Sequence, residues 1–150
     1  MCRLSYFLDK YWRWINERSC PNLLITYKKV MNKEELIEFV NSHKVHQIRA
    51  GDKHRFVDIT IVESDGRFFV RQYKFGKRSW YDAFLDTPEG EIKYKDIVIP
   101  VRGEIPEDLD SINQRITKAY SKKLGLIYHI MRLGFDRKRH EASTLELIPV

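Results

Sequence analysis

The stretch Arg71-Gln72-Tyr73-Lys74-Phe75-Gly76-Lys77-Arg78-Ser79-Trp80-Tyr81 combines cations, turn residues and aromatic rings. Lys77 and Arg78 precede Ser79, whose Ser-x-x-Asp spacing to Asp82 predicts a helix start. Such a start offers unpaired N–H groups and the positive end of a dipole. Arg71 lies on an adjoining extended segment, on the same face as Tyr73, and Arg49 and Arg55 flank the neighbouring turn. Arginine forks, a lysine point charge and backbone amides together suit a phosphate or carboxylate. Trp80, Tyr81 and Tyr73 could then cover a flat ring. Two readings of the cations stay open, a ligand seat and solvated loop charge. For Trp80, with Phe84, the alternative is packing inside the fold.

Other chemistries find less support. His43, His46, His54, His129 and His140 show no metal-ligand spacing, and only His54 falls near the basic cluster. Asp58 sits opposite the Val57/Ile59/Ile61 stripe, where it could orient an arginine or accept a proton, or face outward as an ordinary strand carboxylate. No nucleophile elbow, HExxH or Walker loop occurs. Cys2 and Cys20 are the only cysteines, which argues against a disulfide framework and for a reducing, cytoplasmic setting. Arg132, Arg137-Lys138-Arg139-His140 and the cations Lys118, Lys122 and Lys123 lack interleaved aromatics, so they read as a solvated helix face rather than a nucleic-acid surface.

The elements that must hold these residues follow from periodicity. The chain has 150 residues, 43% apolar and 32% charged, with a net charge of +6. That is one compact domain with a real core, neither disordered nor membrane-spanning. Asn32 and Glu35 predict a capped helix with Leu36, Phe39 and Val40 on one face. Period-two alternation predicts strands over 45–50, 55–64 and 67–75, the last two joined by Asp65-Gly66. A short helix follows from Ser79 to about Asp86. Strands over 91–95 and 97–103, a long helix from about Pro106 to Gly125, a helical piece over 126–133 and a strand over 144–148 complete the order.

Hairpins dominate and no Gly-rich βαβ unit appears, which disfavours a Rossmann sheet. The expected fold is α+β: a six-stranded, mainly antiparallel barrel with helices at two connections. Residues 1–30 form an N-terminal amphipathic extension, with Leu4, Phe7, Leu8, Tyr11, Trp14 and Ile15 at helical spacing. It reads as a helix packed on the domain or a partner, as a membrane-surface helix, or as sequence upstream of a native start at Met31. Residues 31–150 form the domain.

The ordered set Ile48-Arg49, Phe56 to Val62, Asp65-Gly66, Phe69-Val70-Arg71, Ser79-Trp80-Tyr81, Glu89-Gly90-Glu91-Ile92, Ile112 with Ala119-Tyr120 and Lys123, and Thr144-Leu145-x-Leu147-x-Pro149 resembles the bacterial domain-of-unknown-function family 2255 over about 31–150. Trp80 to Pro88 is also similar to a segment of deazaflavin-dependent nitroreductases. The resemblance implies the FMN-binding split-barrel fold of pyridoxamine-phosphate-oxidase-like proteins, in a homodimer. It further implies FMN or a deazaflavin at the dimer interface, its phosphate held by Arg/Lys groups. By position the resemblance implies that Arg71, Lys77, Arg78, Ser79 and Trp80 surround the cofactor phosphate. With Arg49, Arg55 and Tyr73 from the residue pattern they make the expected cofactor site, and redox chemistry there would make the protein a flavin- or deazaflavin-dependent oxidoreductase. The alternative is a cofactor-free binding or assembly module.

Overall fold

The structure, a computed structural model, describes residues 27–28, 31–77 and 79–150. The helix and late start expected of residues 1–30, and Arg78, lie outside the described residues. Chain order is β1 (Tyr27–Lys28), α1 (Lys33–Ser42), β2 (His46–Ala50), β3 (Val57–Ile59), β4 (Val62–Ser64), β5 (Arg67–Arg71) and α2 (Trp80–Asp86). After these come β6 (Glu89–Tyr94), β7 (Ile97–Glu104), α3 (Leu109–Leu124), α4 (Leu126–Met131), α5 (Arg137–Ala142) and β8 (Thr144–Pro149).

The strands form one curled sheet in the order β3-β2-β6-β7-β8-β5-β4, antiparallel throughout, with the short β1 pairing parallel to the start of β7. The two ends of this path, β3 and β4, are consecutive pieces of one extended segment. The chain changes partner at Thr60–Ile61, so the sheet curls round to meet itself there. That change explains why six expected strands become seven on the path: the single strand expected over 55–64 serves β2 with its first half and β5 with its second. β5 is also shorter than expected. At Gln72 the ladder yields to side chains, with the Gln72 amide donating to Ser143 Oγ (3.1 Å) and its carbonyl accepting from His140 Nδ1 (2.8 Å).

Local signals explain the connections. Asp65 (φ 56°) and Gly66 (φ 72°) make the left-handed pair of a tight hairpin. Asn32 Oδ1 accepts the Glu35 amide at 2.8 Å and so caps α1. Gly125 (φ 61°) ends α3. The helix starts at Leu109 rather than at Pro106, and Asp108 does not cap it, because its carboxylate binds Arg67 (2.8 and 3.0 Å) beside the Arg67–Glu146 pair. The cations Arg137, Lys138 and Arg139, read from the sequence as a solvated helix face, do lie on a helix, α5, which one buried residue, His140, holds down.

Two apolar clusters divide the core. Leu36, Ile48, Ile61, Phe68, Val70, Phe84, Ile92 and Leu145 fill the barrel, while Phe69, Ile112, Ile116, Tyr120 and Tyr128 pack under α3. β5 therefore buries both faces: Phe68 and Val70 look into the barrel, and Phe69 and Arg71 look towards α3.

Phe84 closes one end of the barrel against two glycines. A Cβ on Gly90 would lie 2.5 Å from Phe84 Cε1 and also strike the Arg49 carbonyl, and one on Gly103 would lie 2.6 Å from Phe84 Cδ1. Neither neighbour is a flexible chain end. Gly90→Ala should therefore lower the unfolding free energy by about 1–3 kcal/mol, read as a lower urea midpoint. Equal midpoints for variant and parent would show that α2 can shift outward freely.

Candidate functional site

The end that Phe84 closes is also the end where the basic residues meet. β2 stops at Ala50, the loop through Gly51 and Asp52 carries His54 and Arg55, and β3 returns at Val57. α2 crosses beside it. Its buried residue, Phe84, enters the barrel, which leaves Trp80 and Ala83 on the neighbouring flank. Trp80 packs edge-on to Phe84 (6.4 Å between centroids) and to Tyr81 (6.0 Å), so its plane is fixed from two sides.

Between this flank and the β2–β3 loop lies a cleft of about 660 Å³. Ala50, Val57, Trp80 and Ala83 supply apolar surface, and Arg49, His54, Arg55 and Lys77 supply positive or titratable groups. Ser79, Asp82 and Asp86 complete the lining. The volume falls in the range that holds a drug-sized or cofactor-sized ligand.

The expected site residues therefore separate. Arg49, Arg55, Lys77, Ser79 and Trp80 line this one cleft. Tyr73 is not among its lining residues, and Arg78 lies outside the described residues. Arg71 sits elsewhere. It is 1% exposed, and its guanidinium donates to Thr144 Oγ1 (2.9 Å), Thr117 Oγ1 (2.8 Å) and Asn113 (Oδ1 at 2.8 Å, carbonyl at 3.1 Å). The physical reason is the strand's alternation: the face shared with Phe69 is the one that α3 covers.

Charges around the cleft are partly matched. Arg49 and Glu91 are register partners across β2 and β6, and Glu91 Oε2 accepts from Arg49 Nε (2.8 Å) and its terminal nitrogen (2.7 Å). The other terminal nitrogen donates to the Asp52 carbonyl (3.2 Å), and the guanidinium stands 4.6 Å from the Phe56 ring centroid. Arg49 is thus preset in orientation. Arg55 and Lys77 are exposed at the rim. Ser79 caps α2 as expected, accepting the Asp82 amide at 3.0 Å, but its hydroxyl also donates to the Asp82 carboxylate at 2.6 Å. That carboxylate already answers much of the positive helix end, so the loop cations and not the helix start carry the pull on an anion.

Ser79 and Asp82 also border a second, smaller hollow of about 210 Å³, shared with Gln72, Phe75, Tyr81 and Arg139. Asp58, weighed as a proton acceptor, instead receives a hydrogen bond from Gln47 Nε2 (2.9 Å) on the sheet surface. Among the described residues no cluster of His, Cys, Asp and Glu could hold a metal ion, and no helix is long and apolar enough to cross a membrane. Glu91 and Asp86 escaped the sequence reading. Nothing in the sequence flags Glu91 until the β2–β6 register places it opposite Arg49.

No protein-family model matches the chain, and no curated protein matches it. Solved structures do. A candidate pyridoxamine 5′-phosphate oxidase from Listeria innocua superposes with a TM-score of 0.50 at 15% identity, over 80% of this chain and 93% of that one. A FAD-binding protein from Mesorhizobium loti gives 0.48 at 15% identity, over 79% and 88% of the two chains. A conserved hypothetical protein from Mycobacterium tuberculosis gives 0.48 at 13% identity, over 83% and 84%. At such identity the first of these likenesses speaks to architecture alone, and with the sheet order above it gives the conclusion: the chain has an α+β split-barrel fold of the pyridoxamine-phosphate-oxidase-like kind.

Proposed function

We propose that the protein binds a phosphorylated, planar cofactor of the flavin class, FMN or a deazaflavin, in the cleft between the β2–β3 loop and α2. The carrying observation is the joining of Arg49, Arg55 and Lys77 to the Trp80 wall around one 660 Å³ space. The residues present suit such a group: exposed cations for a phosphate, and a fixed aromatic plane with small apolar neighbours for a ring. Arg55 and Lys77, from the two loops that border the cleft, neutralise the phosphate; Arg78, expected beside Lys77 from the sequence, lies outside the described residues. Arg49, held by Glu91, adds a fixed fork, and Trp80 bounds the ring. A bound flavin would supply the redox chemistry of an oxidoreductase, while this chain binds and orients. The same reading includes membership of the domain-of-unknown-function family 2255 over 31–150 and a homodimer whose second subunit closes the cleft.

Arg55→Ala combined with Lys77→Ala should weaken FMN binding by at least about tenfold, as two charge-assisted contacts of roughly 1–3 kcal/mol each are removed. Titration of FMN fluorescence quenching measures this directly. A parent protein that leaves the fluorescence unchanged would sink the proposal.

A second reading, a cofactor-free binding module, is favoured by Asp82 and Asp86, whose carboxylates offset part of the positive field. It expects no flavin at any concentration, so the same titration separates the two.

A further inference from the structure

Of nine exposed large apolar residues among the described ones, four fall in one short stretch: Leu126 (75% exposed), Ile127, Ile130 and Leu133 (81%). They belong to α4 and its C-terminal turn. The opposite side of α4 is already buried, because Tyr128 stacks on Tyr120 (5.3 Å between centroids) and meets His140 Nε2 (3.3 Å). At 100° per residue, Leu126 and Ile130 point away from Tyr128, and Leu133 stands exposed in the turn that follows. A helix apolar on both sides has a second surface still to cover.

The charges beside this face are one-sided. Residues 118–142 hold seven Lys and Arg against two carboxylates, Asp136 and Glu141; Lys123 turns inward to the Val40 and Ile61 carbonyls and Arg132 pairs with Glu141, which leaves five outward cations. Lys118, Lys122, Arg137, Lys138 and Arg139 are exposed. Tyr128 of α4 and His140 of α5 both turn down onto Tyr120. The opposite faces of the two helices therefore turn away from the barrel together, aliphatic residues on α4 beside cations on α5.

We infer that this α4–α5 face docks on an anionic lipid surface. Side chains as exposed as Leu126 and Leu133 stand clear as knobs, which a deformable acyl layer accepts without a matching groove. The flanking cations meet lipid phosphates. A second copy of this chain is a poor occupant, because a two-fold contact would bring the same cations together. This inference is independent of the flavin reading and concerns a different part of the molecule.

Co-sedimentation of the full chain with vesicles tests it. Binding should be strong to phosphatidylcholine vesicles containing phosphatidylglycerol and weak to phosphatidylcholine alone, with roughly fivefold in partition for each engaged cation. Leu126→Ser combined with Leu133→Ser should reduce the bound fraction by about tenfold or more while leaving the melting curve unchanged. Arg137→Gln with Lys138→Gln should lower the dependence on lipid charge. A Leu126→Ser/Leu133→Ser protein that sediments like the parent would overturn the inference and assign any binding to the amphipathic residues 1–30. A parent that stays in the supernatant with both vesicles overturns it too. So does a dimer in light scattering that the leucine substitutions dissolve, since a second copy then covers the face.

Discussion

Arg71→Met is expected to lower the unfolding free energy by about 3 kcal/mol or more, one of the two largest effects foreseen here. The side chain is fully enclosed beneath α3, and every partner of its guanidinium is a neutral oxygen: Thr144 Oγ1, Thr117 Oγ1, and the carbonyl and Oδ1 of Asn113. The cation is solvated by the protein in place of water. Removing it relieves a buried charge but takes the donor away from Thr144 Oγ1, which is fully buried, and from the half-buried Thr117 and Asn113 oxygens, and the second effect wins because several charge-assisted bonds go at once. The same strand position is locked through its backbone, since the Arg71 amide donates to Tyr120 Oη (3.0 Å), which in turn donates to the Thr60 carbonyl (3.0 Å). Arg71→Lys should also destabilise, because one ammonium cannot span acceptors on two turns of α3 and on β8. Urea unfolding measures both. A loss below about 1 kcal/mol for Arg71→Met would mean that relief of charge burial balances the lost bonds. Measured in buffer, where the folded form prevails, Arg71→Lys should keep the parent's affinity for FMN. An affinity loss would place Arg71 back among the ligand-holding groups.

Arg71 also shows where the sequence stops being readable. Its type and its place beside Lys77 suggest an anion seat, and the period-two pattern correctly groups it with Phe69. What the pattern leaves open is which face of β5 meets the barrel and which meets a helix, because both faces carry large apolar residues. The hairpin turns, the α1 and α2 caps and the Gly125 stop were legible because each rests on a few adjacent residues. The split of 55–64 into β3 and β4 was not, since it depends on which distant strands lie on either side. The Arg49–Glu91 pair is hidden for the same reason, as its members are neighbours only through register. Arg55, Lys77 and Trp80 were readable as a set because the chain delivers them from two loops flanking one barrel end.

That same dependence on burial fixes the acid limb of stability, where the second large effect lies. His46 and His140 are 1% and 2% exposed, and burial is the first cause that lowers each imidazole from 6.5 to about 4. Lys123 and His43 add repulsion at His46, and Arg71 and Arg132 add it at His140. The unfolded chain takes up these protons near pH 6.5, whereas the folded chain resists until about pH 4. The unfolded state thus binds more protons across that window. Stability contributed by the two neutral rings is complete above pH 6.5 and drains as the pH falls towards 4. At 1.36 kcal/mol per unit each ring stands to lose no more than ~3 kcal/mol, and closer to ~2 kcal/mol once local opening admits water. The two sites differ in what substitution does. Neither nitrogen of His46 has a hydrogen-bond partner, although the Phe39 carbonyl lies near enough to raise its pKa slightly. His46→Leu should therefore leave stability at pH 7.5 about unchanged and flatten the acid limb. His140 donates to the Gln72 carbonyl and accepts from Tyr128 Oη, so His140→Leu should lose stability at pH 7.5 while gaining the same acid resistance. Urea midpoints collected at pH 7.5, 6 and 5 decide the matter. A His46→Leu protein whose midpoint falls with pH as steeply as the parent's would show that His46 takes up its proton as readily in the folded chain as in the unfolded one.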